Sequence, residues 1–222
     1  MTAGRRERAA GALRDLGHAL VRHDADPALL DEIAELAGQL RARLETGGAR
    51  ERDLLAEALA TPPEDGARLS HNPDCVVSGP ANPHGVALDV RRDGDGAAAT
   101  LTLERGFEGP PGRTHGGIVA AVFDDVMGYL LAMRRLPALT VELRVRYHAA
   151  VPLETPLGVE AGIESEQGRK IATSATLRDG DGTVLADADA LFVVIPGERL
   201  GLSDEARARL AEVQSQARAL LS

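Results

Sequence analysis

The chain has 222 residues, long for one domain of about 150 and short for two, so a single globular core with an appendage is expected. A formal net charge of −9 and a pI near 5.2 argue against binding to nucleic acid or an anionic membrane through bulk charge. Only 2% of residues are aromatic against 44% hydrophobic, which leaves a core of Ala, Val, Leu and Ile, and the single cysteine, Cys75, excludes an internal disulfide and fits a reducing compartment. The start, Met1-Thr-Ala-Gly-Arg-Arg, runs into charged helix-like sequence rather than an apolar leader, and no uncharged run approaches the ~18 residues of a membrane span. A soluble, unsecreted, cytoplasmic protein is the expectation, with no nucleic-acid or membrane partner.

The first sixty residues read as a helical extension. Leu29, Ile33, Leu36, Leu40 and Leu44 fall on one helical stripe, with Asp26-Pro27 as N-cap and first-turn proline and Gly47-Gly48 as the stop. A helix from about Arg5 to Arg22 is expected before it and another from Arg50 to Ala60 after it. Thr61-Pro-Pro-Glu-Asp-Gly66 opens a linker and lead-in, 61–84.

From residue 85 the period becomes two. Val86, Leu88 and Val90 alternate with polar or small neighbours, Asp93-Gly-Asp-Gly96 signals a turn, and Ala97–Leu103 resumes the alternation as a hairpin. A loop over Gly106–Gly112 leads into a long apolar helix from about His115 to Arg135, closed by Pro137. Four more strands follow: Val141–Tyr147, a run through Leu157 and Ile163, another through Ile171 and Leu177, and one ending at Leu191–Ile195 after the Asp179-Gly-Asp-Gly182 turn. Within a C-terminal segment, 197–222, Ser203-Asp-Glu then opens a helix through about Leu221. Two strands, one helix and four strands joined by short turns lack the crossover helices of a parallel sheet, so the core over 85–196 is α+β, an antiparallel sheet wrapped on one central helix.

That helix carries the candidate chemistry. Between Ile118 and Met133 only Asp124 and Asp125 are charged, on a helix otherwise apolar all round. Either both line a solvated strip or pair with arginines such as Arg144 and Arg146, or one is a base or nucleophile in a desolvated pocket, where burial raises a carboxylate's basicity. Arg113-Thr-His-Gly-Gly117 places two glycines at the helix start, where unpaired N–H groups and the positive dipole end converge. That outlines an oxyanion hole, although such glycines also permit tight packing. Gly116 and Asp124 are eight residues apart, about 12 Å along one helix, too far to act on one carbonyl. Two such helices antiparallel across a two-fold axis would bring them together, so a homodimer or a dimer of dimers is expected.

Phe107-Glu-Gly-Pro-Pro-Gly-Arg-Thr-His-Gly-Gly-Ile-Val-Ala-Ala-Val-Phe-Asp124 resembles the signature of hotdog-fold acyl-CoA thioesterases of the PaaI (phenylacetate-degradation) type. It is most similar to the subgroup that includes mitochondrial long-chain acyl-CoA hydrolases. The resemblance spans roughly 70–196, with Cys75–Gly85 similar to the lead-in and Val151–Leu157 to the turn after the third strand. It implies Asp124 as catalytic acid, Gly116 as oxyanion-hole amide, His115 as the residue that orients the thioester end or supports the loop, and Thr140 as the hydroxyl that helps hold water. Asp125 matches no catalytic position and is expected to be an accessory or structural carboxylate.

Two departures stand out: Gly109 occupies a place where some relatives carry an orienting asparagine, and His148 and Ala150 replace an arginine and a proline that bear on coenzyme A contacts. Gly109 and Gly117 would line the substrate path, and Ile118, Val122, Val126 and Met127 are candidate pocket walls, although core packing is the better explanation for each taken singly. The substrate expected is an acyl-CoA or acyl-carrier thioester, with coenzyme A as leaving group and no cofactor. The six histidines show no metal-ligand spacing, so no metal is expected. Alternatives are a hotdog dehydratase and a non-catalytic acyl-CoA sensor that passes the signal to a DNA-binding unit formed by the helices at 5–60.

Overall fold

A computed structural model of the chain describes residues 2–50, 64–69, 72–86 and 88–196, with scattered helical positions between 204 and 215. The helix expected over Arg50–Ala60 lies outside the described residues beyond Arg50, as does most of the expected C-terminal helix.

Helix α1 spans Thr2–Arg22 and α2 spans Pro27–Glu45. The start of α2 follows from Asp26-Pro27: the Asp26 carboxylate accepts from Leu29 N at 3.0 Å, satisfying a first-turn donor, and proline costs nothing where its N–H would be unpaired. Gly47 N donates to Leu44 O as the helix ends, one residue before the expected Gly-Gly stop is complete. Helix α1 is tied down by polar contacts. Arg14 donates to Asn82 O at 2.9 Å, Gly106 N donates to His18 Nδ1 at 3.2 Å, the His18 ring meets Phe107 edge-on with centroids 5.0 Å apart, and Arg22 pairs with Glu154 at 2.6 Å. It therefore braces the loop that precedes the central helix. Helix α2 buries no residue, and its stripe at Leu36, Leu40 and Leu44 remains exposed.

Strands β1 (Asp89–Asp93), β2 (Gly96–Thr102), β3 (Ala138–Tyr147), β4 (Pro156–Gln167), β5 (Lys170–Asp179) and β6 (Val184–Val194) form one antiparallel sheet in the order β1-β2-β4-β5-β6-β3. Helix α3, Gly116–Met133, packs along the sheet against β2 through β6. The inner rows are rich in alanine, with Ala97 and Ala99 on β2, Ala175 on β5, and Ala186, Ala188 and Ala190 on β6. Small side chains there leave room for Phe123, Met127 and Leu130 of α3, all fully buried, each contributing roughly 1.5–3 kcal/mol of apolar burial. Both expected Asp-Gly hairpin turns form, with Gly94 at φ 57° and Gly182 at φ 82°, a region open to glycine at little cost.

Two boundaries differ from the sequence reading. Strand β1 begins at Asp89 rather than near residue 85, because Val86 N bonds to Val77 O at 2.7 Å and so belongs to the folded lead-in loop. Strand β3 begins at Ala138, three residues before the clean alternation, and is interrupted by a bulge between Thr140 and Glu142. Beyond the bulge Leu143, Val145 and Tyr147 pair with the inward Ala190, Ala188 and Ala186. Unbroken alternation would put Thr140 on the opposite face. The extra residue restores it to the helix side, opposite buried Phe192. Strand β3 is also an edge, with Leu139 at 62% and Val141 at 57% exposure.

Candidate active site

The turn that opens α3 is built by its own side chains. His115 is the N-cap, extended at φ −61° and ψ 128°, and its Nδ1 accepts from Gly117 N at 3.0 Å, which requires the ring to carry no proton on that nitrogen. Thr114 N donates to Val151 O and His115 N to Phe107 O, both at 2.9 Å, so the motif is pinned to its flanking loops. Gly109 lies directly beneath: a Cβ there would come within 2.8 Å of His115 Cα, so any side chain would displace the motif's backbone. The glycine in the asparagine's place thus packs under the histidine.

The Gly117 amide is consumed by the cap. Gly116 N has no acceptor among the described residues and is the free donor at the positive end of the helix. Eight residues on, Asp124 is half-buried, and its Oδ1 accepts from Thr140 Oγ1 at 2.8 Å. Nothing among the described residues bonds its other oxygen. The bulge makes this pair possible, and the alternation of the strand alone would have hidden it.

Tyr147 is the residue that sequence reasoning missed. Its hydroxyl donates to Gly116 O at 2.7 Å, and burial pushes the phenol up from its ordinary pKa. One edge strand therefore reaches both ends of the motif, Thr140 to Asp124 and Tyr147 to Gly116. Only the alternation of Val141–Tyr147, which puts Tyr147 on the inner face, pointed to it.

The candidate pocket walls separate. Ile118 is half-buried at the helix start, whereas Val122 and Met127 are 1% and 0% exposed, and Met127 Sδ receives the Thr173 hydroxyl at 3.0 Å. Within this chain those two are core. Arg144 and Arg146 do not reach the acids of α3: Arg144 pairs with Glu142, and Arg146 bonds Asp187 and Asp189 on the outer face. His148 also bonds Asp187, and these contacts hold the Asp187 carboxyl below its usual range, His148 contributing most.

Asp125, about 100° round the helix from Asp124, receives the Cys75 thiol at 2.9 Å. Beside it the Ser78 and Tyr129 hydroxyls bond each other at 2.9 Å, both residues 3% exposed, and burial pushes the Tyr129 phenol up to about 12. Burial first, and then the Asp125 contact, raise the Cys75 thiol above its ordinary pKa. This pair fastens the lead-in loop to α3. Because Cys75 is the chain's one cysteine, bulk thiol titration reads it directly: alkylation at pH 8 is expected at least tenfold slower in the folded protein than after denaturation. Equal rates would contradict the pairing. Among the described residues no group of three or more His, Cys, Asp or Glu side chains is placed to hold a metal.

An antiparallel sheet curled on one long helix, with an acid on the helix and a His-Gly-Gly turn at its start, defines a hotdog-fold domain. The thioesterase superfamily profile matches residues 111–186. The crystal structure of a thioesterase superfamily protein is 32% identical, with 85% of this chain and 90% of that one covered at a TM-score of 0.71. The chain belongs to the thioesterase superfamily. It is also similar to acyl-coenzyme A thioesterase THEM4 of Xenopus laevis, 36% identical over 88 residues, and of Mus musculus, 31% identical over 104. These matches cover 39% and 45% of this chain and 40% and 45% of those proteins, so the shared region spans less than half of either curated relative.

Proposed function

We propose that this protein is an acyl-CoA thioesterase of the PaaI type, acting in the cytoplasm on a site shared by two copies of the chain. The observation that carries the reading is the pairing of an unclaimed Gly116 N–H at the head of α3 with an Asp124 carboxylate held by Thr140 farther along the same helix. Eight residues of helix separate them by about 12 Å, so one chain cannot bring both to a single carbonyl. The exposed, unpaired edge at Leu139 and Val141 beside Asp124 supports a second copy there, with two antiparallel α3 helices completing two sites.

In this site the Gly116 N–H and the helix dipole receive the thioester oxygen as it gains charge. The Thr140 hydroxyl gives its proton to Asp124 Oδ1 and keeps its lone pairs for a water, which can also donate to the other Asp124 oxygen. Asp124 takes the water proton as the oxygen adds to the carbonyl carbon. The C–S bond then breaks, and the coenzyme A thiolate leaves and recovers the proton as thiol. Direct attack by Asp124 to give a mixed anhydride, hydrolysed in a second step, uses the same atoms; the Thr140 contact favours the water route. Coenzyme A is product rather than cofactor.

A screen of acyl-CoAs of graded chain length and of aryl-CoAs and acyl-carrier thioesters, reading free thiol, tests the assignment; no cleavage of any of them would end it. Thr140→Val keeps the shape and removes the hydroxyl, so a roughly tenfold fall in kcat is expected with folding intact. Unchanged kcat would remove Thr140 from the mechanism.

A further inference from the structure

Two consecutive glycines open a helix in which a single N–H is asked to occupy a defined position, yet glycine is the residue least able to fix its own backbone. The structure answers this at the peptide that joins Gly116 to Gly117. Its carbonyl receives the Tyr147 hydroxyl at 2.7 Å and its N–H donates to His115 Nδ1 at 3.0 Å, so the unit is held at both ends by side chains. The preceding peptide, between His115 and Gly116, has its carbonyl bonded by Ile118 N at 2.9 Å and keeps its N–H unclaimed among the described residues. The Tyr147 ring also closes on the glycine: a Cβ at Gly116 would stand 3.2 Å from the hydroxyl and 3.4 Å from Cζ.

We propose that Tyr147 is a positioning residue for thioester hydrolysis, clamping the Gly116–Gly117 peptide together with His115 so that the Gly116 N–H points at the developing oxyanion. The inference rests on the reading of Gly116 as the oxyanion donor. It gives the edge strand two duties, one at each site of the proposed dimer: its start holds the acid of one site through Thr140, and its end holds the amide of the other through Tyr147. Tyr147 acts through Gly116, and its hydroxyl is spent on the protein, which separates it from a substrate contact.

Tyr147→Phe removes the hydroxyl and keeps the ring against Gly116. With an acyl-CoA that the wild type cleaves, kcat is expected to fall about tenfold while KM changes less than about twofold, the pattern of an interaction that matters only in the transition state. The midpoint of the pH–rate profile should not move, and the thermal midpoint should stay within about 2 °C. Amide exchange at Gly117, read by NMR, should quicken. Unchanged kcat, or a rise in KM with kcat preserved, would overturn the proposal, as would a loss of rate matched by loss of folded protein. If the wild type cleaves no thioester, the hydrolytic reading fails, but the exchange measurement still decides the clamp: faster exchange at Gly117 in Tyr147→Phe supports it and equal exchange refutes it.

Discussion

Asp124→Asn is expected to lower kcat about a thousandfold on every acyl-CoA the protein cleaves, with coenzyme A binding and thermal stability close to wild type. The amide has the shape of the carboxylate, and its oxygen can still accept from Thr140 Oγ1, now at 2.8 Å from Asp124 Oδ1, so the local packing has no reason to change. What is lost is the capacity to take a proton or to attack a carbonyl. General-base removal costs about 10²–10⁴ in rate, and the loss of a nucleophile falls in the same range or beyond it. Steady-state kinetics alongside calorimetric titration with coenzyme A separates chemistry from binding. Activity above about a tenth of wild type would place the base elsewhere; a collapse of coenzyme A binding would make Asp124 a binding residue instead.

The second large effect comes from a backbone atom. Gly116→Pro deletes the N–H that has no acceptor among the described residues and does so where proline is tolerated: position 116 is the first residue of the helix, and His115 before it is already extended at ψ 128°, as a residue preceding proline must be. Loss of an oxyanion donor costs about 10²–10³ in kcat. Gly116→Ala supplies the control. It keeps the N–H and adds only a Cβ, which the Tyr147 hydroxyl at 3.2 Å must yield to by a few tenths of an ångström, so a loss of about tenfold or less is expected. Equal losses in the two variants would mean that crowding, rather than the donor, is what the site cannot bear.

The elements were readable because their signals are local. Asp26-Pro27 caps α2, the two Asp-Gly turns set the β1–β2 and β5–β6 hairpins, and the alternation of Ile171, Thr173, Ala175 and Leu177 gives β5 its buried face. Two features of the site were not local. The bulge that turns Thr140 inward has no composition of its own in Leu139-Thr-Val-Glu142, and only the register against β6 reveals it. The division of labour between the two glycine amides was likewise hidden, since the outlined pair depends on where the His115 ring folds back, and that ring takes Gly117 for itself. Val122 and Met127 show the converse: helix periodicity marks residues that face something apolar, and here the apolar partner is the sheet.

Complementation between damaged copies tests the shared site most directly. Asp124→Asn and Gly116→Pro chains, each nearly inactive alone, are denatured together in equal amounts and refolded. Half of the resulting dimers then carry one copy of each, and in every mixed dimer the intact Gly116 of one copy faces the intact Asp124 of the other at one of two sites. About a quarter of wild-type activity should return. Activity no higher than that of the separate variants, in a sample where mass spectrometry shows the mixed dimer, would mean that each chain completes its site alone.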